Sequence, residues 1–512
     1  MLKTMKLYSL PILSGFLIGT SYIPFPPWAL FFCLAPLWIF WTRTHSLKQV
    51  FWGGWITQFI LNLIGFHWIA HTVVAFGQMP WPVGFFVLFI FCSLAHIYYP
   101  LAGVLWKITT QKFRLSSTAS WLILPLLFAL TERLYPFIFF WHLGYPWLWA
   151  KFPGYHLAEW IGFFGLNLVT LTVNVCIAIL YLSKRRTWRH PAAGAGLTLL
   201  LTTQILGFYI SSHLLQTDLQ LKVLMVQGNI GNLDKLLAEH SNRAAEKAVN
   251  VYIKLTREAL AQESNVDLII WPETAFPEMI YESSIGPQRR RLHRLVQEFN
   301  IPILTGAYQR GANQKPYNSI VLLDSNKVVD SYQKTMLLAF GEYFPFADTF
   351  PQLKKWFPMV SDFGRGQGPA TLAMGDLNIG PQICYEGLFD EFSLGQQKQN
   401  AHFMVNITND SWFGRPFEPY QHMYMTLARA IENRRPLIRV TNTGISTVVL
   451  ASGEVLKLSP IQKEWYGVYE IPIASSPPST FYANLGERWP WVLVLAMLLV
   501  YIGDRIARTR QH

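Results

Sequence analysis

The stretch Leu377-Asn-Ile-Gly-Pro-Gln-Ile-Cys-Tyr-Glu386 runs as an apolar strand into a thiol and a carboxylate. A reactive side chain at the mouth of a buried strand is the arrangement of α/β domains, whose sheets set polar residues out on the rim. Cys384 is the only cysteine in the second half of the 512-residue chain. From about residue 221, short β-rich runs alternate with polar helical stretches. The pattern predicts strands over 221–227, 267–271, 303–308, 318–323, 328–333, 377–383, 403–407, 437–441 and 446–450. It predicts helices over 233–261, 284–298 and 419–433, the first with a charged, solvated face.

The N-terminal part has a different texture. Hydrophobic residues make up 51% of the chain and charged residues 14%, an unusual balance for a soluble protein of this length. Apolar spans near 7–23, 27–41, 51–69, 83–106, 118–140, 160–182, 192–211 and 488–506 predict seven membrane helices, a long intervening domain and an eighth helix. The chain divides accordingly into a membrane domain (1–213), an extracytoplasmic α/β domain (214–486) and a last helix with its tail (487–512). The first span is kept as a helix, because no small-residue cleavage site follows it. Lys3, Lys6, Arg43, Lys48, Lys107, Lys112, Arg114, Lys184, Arg185, Arg186, Arg189, Arg505, Arg508 and Arg510 fall at alternate ends of the spans. The opposite short loops hold little besides Lys151, which places both termini in the cytoplasm and the long domain outside. The net charge of +12 is therefore a topology signal spread over short loops, and nucleic acid is excluded as a partner.

Cys33, Cys92 and Cys176 lie in the apolar spans, where a thiol is an ordinary packing residue. Cys384 would face an oxidising compartment with no second cysteine in its domain, so a structural disulfide is unavailable to it. Two further polar residues stand at predicted strand ends. Asp267-Leu-Ile-Ile270 runs into Trp271-Pro-Glu273, and Ser331-Tyr-Gln333 runs into Lys334. Taken singly, Glu273 reads as well as a loop carboxylate, and Lys334 as a solvated edge charge. Together with Cys384 they form a complete set for nucleophilic catalysis: a base, a cation and a thiol.

The order Glu273, Lys334, Cys384, carried by WPETAFP, YQK and ICYE, resembles the nitrilase (carbon-nitrogen hydrolase) superfamily and, within it, the apolipoprotein N-acyltransferase family. Val226-Gln-Gly-Asn-Ile230, Tyr317-Asn-Ser319, Phe340-Gly-Glu-Tyr-Phe-Pro345, Asn409-Asp-Ser-Trp-Phe-Gly414, Gln421-His422, Arg429-Ala-Ile-Glu432 and Asn442-Thr-Gly-Ile-Ser446 match in order. The chain departs from the family at Asp234-Lys-Leu236, where members often carry a tryptophan, and at Leu338-Ala339, where Val-Pro is usual. The resemblance implies an αββα sandwich outside the bacterial inner membrane. It also implies supporting roles for Glu342, Tyr385 and Glu386, at least one of the two glutamates fixing Lys334, and no metal or other cofactor. The implied reaction moves an acyl chain from a phospholipid, phosphatidylethanolamine being favoured, through a Cys384 thioester to the N-terminal amine of a diacylated apolipoprotein.

Residues 340–366 form a long Phe-rich segment, expected to be a mobile, lipid-touching flap that includes Trp356; an ordered loop packed on its own domain is the alternative. Trp147 and Trp149 are expected at the membrane interface, where the resemblance implies that their loop helps line the lipid entrance, with Trp412 and Phe413 beside the substrate. Glu132 and Arg133 interrupt an apolar run near its outer end, where a structural, interfacial role is expected without pairing to each other. A membrane-anchored amidase would use the same three residues, but a tether needs one span rather than eight. A transporter with a degenerate domain would need a ladder of intramembrane charges that the spans lack.

Overall fold

The structure, a computed structural model, describes residues 7–510 apart from 76, 184–189, 214–216, 281–285, 312–313, 325–326, 357–359 and 415–416, and only the backbone of 236, 239, 353 and 356. It divides into two compact units, Met1–His213 with Asn484–His512, and Leu214–Ala483.

The first unit is helical. Among the described residues, Trp81–Lys112, Pro153–Leu182, Pro191–Ser212 and Tyr482–Thr509 are long and apolar enough to cross a membrane; the pair Leu47–Gly65 and Trp68–Ala75, bent by 57°, makes up to five. Three of the eight expected spans form shorter helices, Ser9–Gly19 of 11 residues, Ala35–Arg43 of 9 and Ser117–Leu134 of 18. The second is short because Pro24, Pro26 and Pro27 open its apolar run and residues 28–34 stay in turns. The third stops at Leu134 because Pro136 forces Tyr135 into an extended conformation. Glu132 is buried inside this unit. It accepts hydrogen bonds from Tyr98 Oη at 2.9 Å and Asn167 Nδ2 at 2.5 Å, and lies 3.1 Å from His142 Nδ1. Arg133 points elsewhere, its guanidinium 5.7 Å from the Phe164 ring centroid. Cys33 and Cys92 are buried, Cys176 is half-buried and all are free thiols.

The second unit is an αββα sandwich. Its strands are β1 (Leu219–Gln227), β2 (Leu268–Ile270), β3 (Ile303–Arg310), β4 (Pro316–Asp324), β5 (Lys327–Gln333), β6 (Leu372–Met374), β7 (Leu377–Ile383), β8 (Phe403–Thr408), β9 (Leu437–Thr441), β10 (Thr447–Val449) and β11 (Trp465–Ile473). One sheet has the order β11-β1-β2-β3-β4-β5 and the other β10-β9-β8-β7-β6. The central strands β1, β2 and β3 are parallel, as are β7, β8 and β9. Alternation builds the layers. Val223 and Met225 of β1 join Ile379, Ile383, Val405 and Ile438 in a core between the sheets. Leu224 and Val226 turn the other way, into a core shared with Val249 and Tyr252 of helix Asn242–Leu260 and Leu292 and Leu295 of helix Pro287–Phe299. The outer face of the second sheet is polar instead: Gln382 Nε2 donates to Gln396 Oε1 of helix Asp390–Lys398, and Arg439 Nη1 to Thr426 Oγ1 of helix Phe417–Asn433.

All nine predicted strands form, and β6, β11 and the helix Asp390–Lys398 are additional. The long helix expected over 233–261 is two, Asn232–His240 and Asn242–Leu260, because Ser241 takes an extended conformation and caps the second through the Ala244 N–H.

Candidate active site

Three strand ends build the site. β2 stops because Trp271 is followed by Pro272, which cannot continue a central strand, and the chain turns with Glu273 just past the sheet. The turn lies against β3 so closely that a Cβ on Gly306 would stand 2.5 Å from Thr274 N and 2.7 Å from Glu273 Cα. Thr274 takes the left-handed conformation, with φ 50°. On the other side, Lys235 Nζ donates to the Glu273 carbonyl at 2.8 Å and to Thr274 Oγ1 at 2.9 Å.

Lys334 follows β5, its N–H bonded to the Asn318 carbonyl at 2.8 Å. Its buried ammonium lies 2.7 Å from Glu342 Oε1 and 3.6 Å from Glu273 Oε1. Asn318 Nδ2 bridges the two carboxylates, donating to Glu273 Oε1 at 2.7 Å and Glu342 Oε1 at 3.3 Å. Burial alone would depress the Lys334 ammonium, but Glu342, Glu273 and Cys384 hold its pKa above the ordinary lysine value, so it is charged. For Glu273, burial raises the pKa and Glu342 adds to it; Lys334, Asn318 and Lys235 pull the other way without cancelling the rise. The second oxygen of Glu342 accepts the Leu338 N–H at 2.8 Å, which holds the carboxylate in place.

Cys384 ends β7 at a φ of 51°, a conformation that costs a non-glycine residue about 1–3 kcal/mol. The turn lifts a half-buried thiol out of the strand. Burial and the Glu273 charge push its pKa up, and Lys334 opposes them. Glu386 fastens this turn to the Lys334 loop. Its Oε1 accepts Tyr332 Oη at 2.6 Å, Thr335 N at 2.7 Å and Met336 N at 3.0 Å, and its Oε2 accepts Ile383 N at 2.8 Å. Burial raises its pKa to about 7. Of the two expected supporting glutamates, Glu342 touches Lys334, whereas Glu386 bonds the chain on either side of the triad.

Beneath Cys384 lies a buried ionic cluster. Asp410 Oδ2 is 2.9 Å from Arg439 Nη2, Asp410 Oδ1 is 3.0 Å from His422 Nδ1, and Glu418 Oε1 is 3.5 Å from His422 Nδ1. Asp410, Glu418 and His422 bring ligand atoms within 4.8 Å of one another, a spacing a metal ion could use, but Arg439 already supplies a cation to Asp410. Arg439 holds Asp410 below the usual carboxylate range against the effect of burial, and burial raises Glu418 well above it.

The remaining expected residues are scattered. Tyr385 is buried, its ring edge-on to Phe389 at 4.9 Å. Trp412 and Phe413 follow Asp410, Trp412 half-buried and Phe413 buried. Trp147 is a core residue of the helical unit rather than an exposed belt residue: fully buried, it donates to Thr170 Oγ1 at 2.9 Å. Trp149 is half-buried and donates to the Phe25 carbonyl at 2.9 Å. The side chain of Trp356 lies outside the described residues. Sequence reasoning assigned no role to Asn318, Lys235, Asp410 or His422. Tyr317-Asn-Ser319 and Gln421-His422 stood out as motifs, whereas Lys235 lay in a helix whose charges read as solvent-facing.

An αββα sandwich with a glutamate, a lysine and a cysteine brought to its strand ends defines a domain of carbon-nitrogen hydrolase type. Residues 220–475 match the carbon-nitrogen hydrolase family, and residues 14–176 match the N-terminal domain of apolipoprotein N-acyltransferase. The chain is 44% identical, over 98% of its length and 94% of the relative's, to the apolipoprotein N-acyltransferase of Bdellovibrio bacteriovorus. It is 30% identical, over 96% and 94%, to that of Geobacter metallireducens. Saccharomyces cerevisiae Nit3, a nitrilase-superfamily structure, is similar at 15% identity with a TM-score of 0.39, covering 53% of this chain and 95% of that one. The chain belongs to the apolipoprotein N-acyltransferase family.

Proposed function

We propose that this chain acylates the N-terminal amine of diacylated lipoproteins by a two-step transfer through Cys384, with a membrane phospholipid, phosphatidylethanolamine being the favoured one, as acyl donor. The observation that carries the reading is the buried Lys334 ammonium, held between Glu273 and Glu342 where the Cys384 thiol feels its charge. In the first step the thiol sulfur attacks the ester carbonyl while Glu273 accepts the thiol proton. The oxyanion that develops is stabilised by Lys334 and a backbone N–H. The tetrahedral intermediate collapses, the carbon–oxygen bond breaks, and Glu273 returns the proton to the departing lysophospholipid alkoxide. In the second step the lipoprotein α-amine attacks the thioester and Glu273 takes the amine proton; the carbon–sulfur bond then breaks, and Glu273 returns that proton to the Cys384 sulfur to restore the thiol.

The segment after Phe340 suits a lipid-facing flap, since Phe340, Phe346 and Phe350 are exposed at 53%, 75% and 58%. Residues 214–486 face the periplasm and both termini the cytoplasm in this reading. Intact mass of the purified protein after incubation with phosphatidylethanolamine, without acceptor, tests the first step. A hydroxylamine-labile gain of one acyl chain is expected, and its absence in Cys384→Ala and Glu273→Gln. Release of fatty acid or ammonia with no adduct would favour a hydrolase instead.

A further inference from the structure

The nucleophile's own carbonyl is held from below. Cys384 O accepts from Asn406 Nδ2 at 3.1 Å and faces His422 Nε2 at 3.3 Å. A carbonyl oxygen only accepts, so the second contact is a hydrogen bond only when Nε2 carries a proton. On the other edge of the ring, Nδ1 faces Asp410 Oδ1 at 3.0 Å and Glu418 Oε1 at 3.5 Å. Asp410 is committed to Arg439 at 2.9 Å, and Glu418 Oε2 is buried with no hydrogen-bond partner among the described residues. The charges in this buried cluster balance with Arg439 positive, Asp410 negative and one further proton between Glu418 and His422, and a buried cluster favours zero net charge. The imidazole therefore has acceptors on both edges: Asp410 and the Cys384 carbonyl favour a proton on each nitrogen, against burial and Arg439, which lower its pKa.

We propose that His422 is a positioning residue for the nucleophile, donating from Nε2 to the Cys384 carbonyl and backed by Asp410, so that the peptide after Cys384 is fixed and polarised for the oxyanion. The inference rests on Cys384 being the acyl-carrying nucleophile. The reasoning is geometric. A trans peptide is planar, with C=O and N–H pointing to opposite sides. Tying the Cys384 carbonyl down to Asn406 and His422 therefore fixes the Tyr385 N–H on the opposite side. Hydrogen bonds to the carbonyl also polarise the amide, which makes its N–H a better donor. The strained φ of 51° at Cys384 needs such a hold, since the turn would otherwise relax. His422 sits at the second turn of helix Phe417–Asn433 and Asn406 on β8, so two elements clamp one carbonyl.

The test is single-turnover acylation of the full-length protein by phosphatidylethanolamine, with rate and half-saturating donor concentration read separately for His422→Met, His422→Gln and Cys384→Ala. Met and Gln match in length, but only Gln can donate to the carbonyl. His422→Met is expected to slow acylation about 10²-fold, the scale of losing one oxyanion donor, with half-saturation unchanged within about twofold. His422→Gln is expected to regain at least about tenfold of that loss. A His422→Met protein that acylates at the wild-type rate, or a Gln variant no better than Met, overturns the inference. If Cys384→Ala still forms the adduct, the nucleophile reading itself fails. Should His422→Met not fold, Asp410→Asn reads the same step through the imidazole's other edge, and an unchanged rate there overturns the inference equally.

Discussion

At the scale of single residues, the site couples two groups that both resist ionisation. Burial lifts the Cys384 thiol and the Glu273 carboxyl together, so no thiolate stands ready and the proton must move as the sulfur attacks. Glu273 serves as base only when ionised, and its pKa lies above the ordinary 4.5. Thioester formation is therefore expected to fall as pH is lowered, with a midpoint above 4.5. Lys235 opposes that rise, so Lys235→Met is expected to move the midpoint further up, and a pH series of single-turnover rates reads the shift directly. An unmoved midpoint would mean that its bonds to Glu273 O and Thr274 serve geometry alone. Glu342→Gln tests the other neighbour. It removes the closest carboxylate from Lys334 but leaves Glu273 at 3.6 Å, so a modest stability cost of about 1–3 kcal/mol is expected alongside a rate loss of about 10²-fold. Thermal unfolding and acylation measured on the same preparation separate the two effects.

At the scale of elements, the site depends on how closely two strands carry their loops together. A Cβ at Gly306 would press on Thr274 N and Glu273 Cα, neither of which can yield without moving the carboxylate. Gly306→Ala is accordingly expected to cut acylation about 10²-fold through misplacement of the base, while the sheet still folds. Circular dichroism with single-turnover kinetics checks it, and an unchanged rate would show that the turn tolerates the displacement. The strands that carry chemistry were the legible ones. β2 and β7 are apolar runs that lead into Glu273 and Cys384, and β5, polar and alternately exposed, leads into Lys334; period and punctuation announce them. β11 was not legible, because Gly467 and Pro472 interrupt it and its half-buried residues show no clean alternation. The contacts of Glu386 and His422 were equally hidden. Three of the Glu386 partners and the Nε2 partner of His422 are backbone atoms of strand-end turns, and no side-chain pattern reports where a carbonyl points. Trp147 misled for a related reason: an aromatic cluster after a span suits a membrane interface, and only packing reveals that this indole lies inside, bonded to Thr170.

At the scale of the whole molecule, the proposed chemistry requires the second unit to be on the side where lipoproteins emerge, and charge is what decides the side. Arg505, Arg508 and Arg510 follow the apolar run of the last helix. Short basic flanks of that kind stay in the cytoplasm. Arg508 lies 3.1 Å from Asp504, an i,i+4 pair, while Arg505 and Arg510 are exposed and pair with no carboxylate among the described residues, which leaves their charge for that bias. The proposed orientation therefore puts the segment between the seventh and eighth expected spans outside. Two added-cysteine reporters in a Cys384→Ala chain put this to the test: Lys254→Cys, at a side chain 64% exposed on helix Asn242–Leu260, and Arg510→Cys at the exposed end of the last helix. A membrane-impermeant maleimide applied to intact spheroplasts is expected to label position 254 and spare position 510, with both labelled after permeabilisation. The parent chain, whose remaining cysteines are buried or half-buried, gives the background. Labelling at 510 but not at 254 would invert the topology and remove the acceptor amine from reach of Cys384. Labelling of both in intact cells would mean that the basic tail does not hold the chain in one orientation.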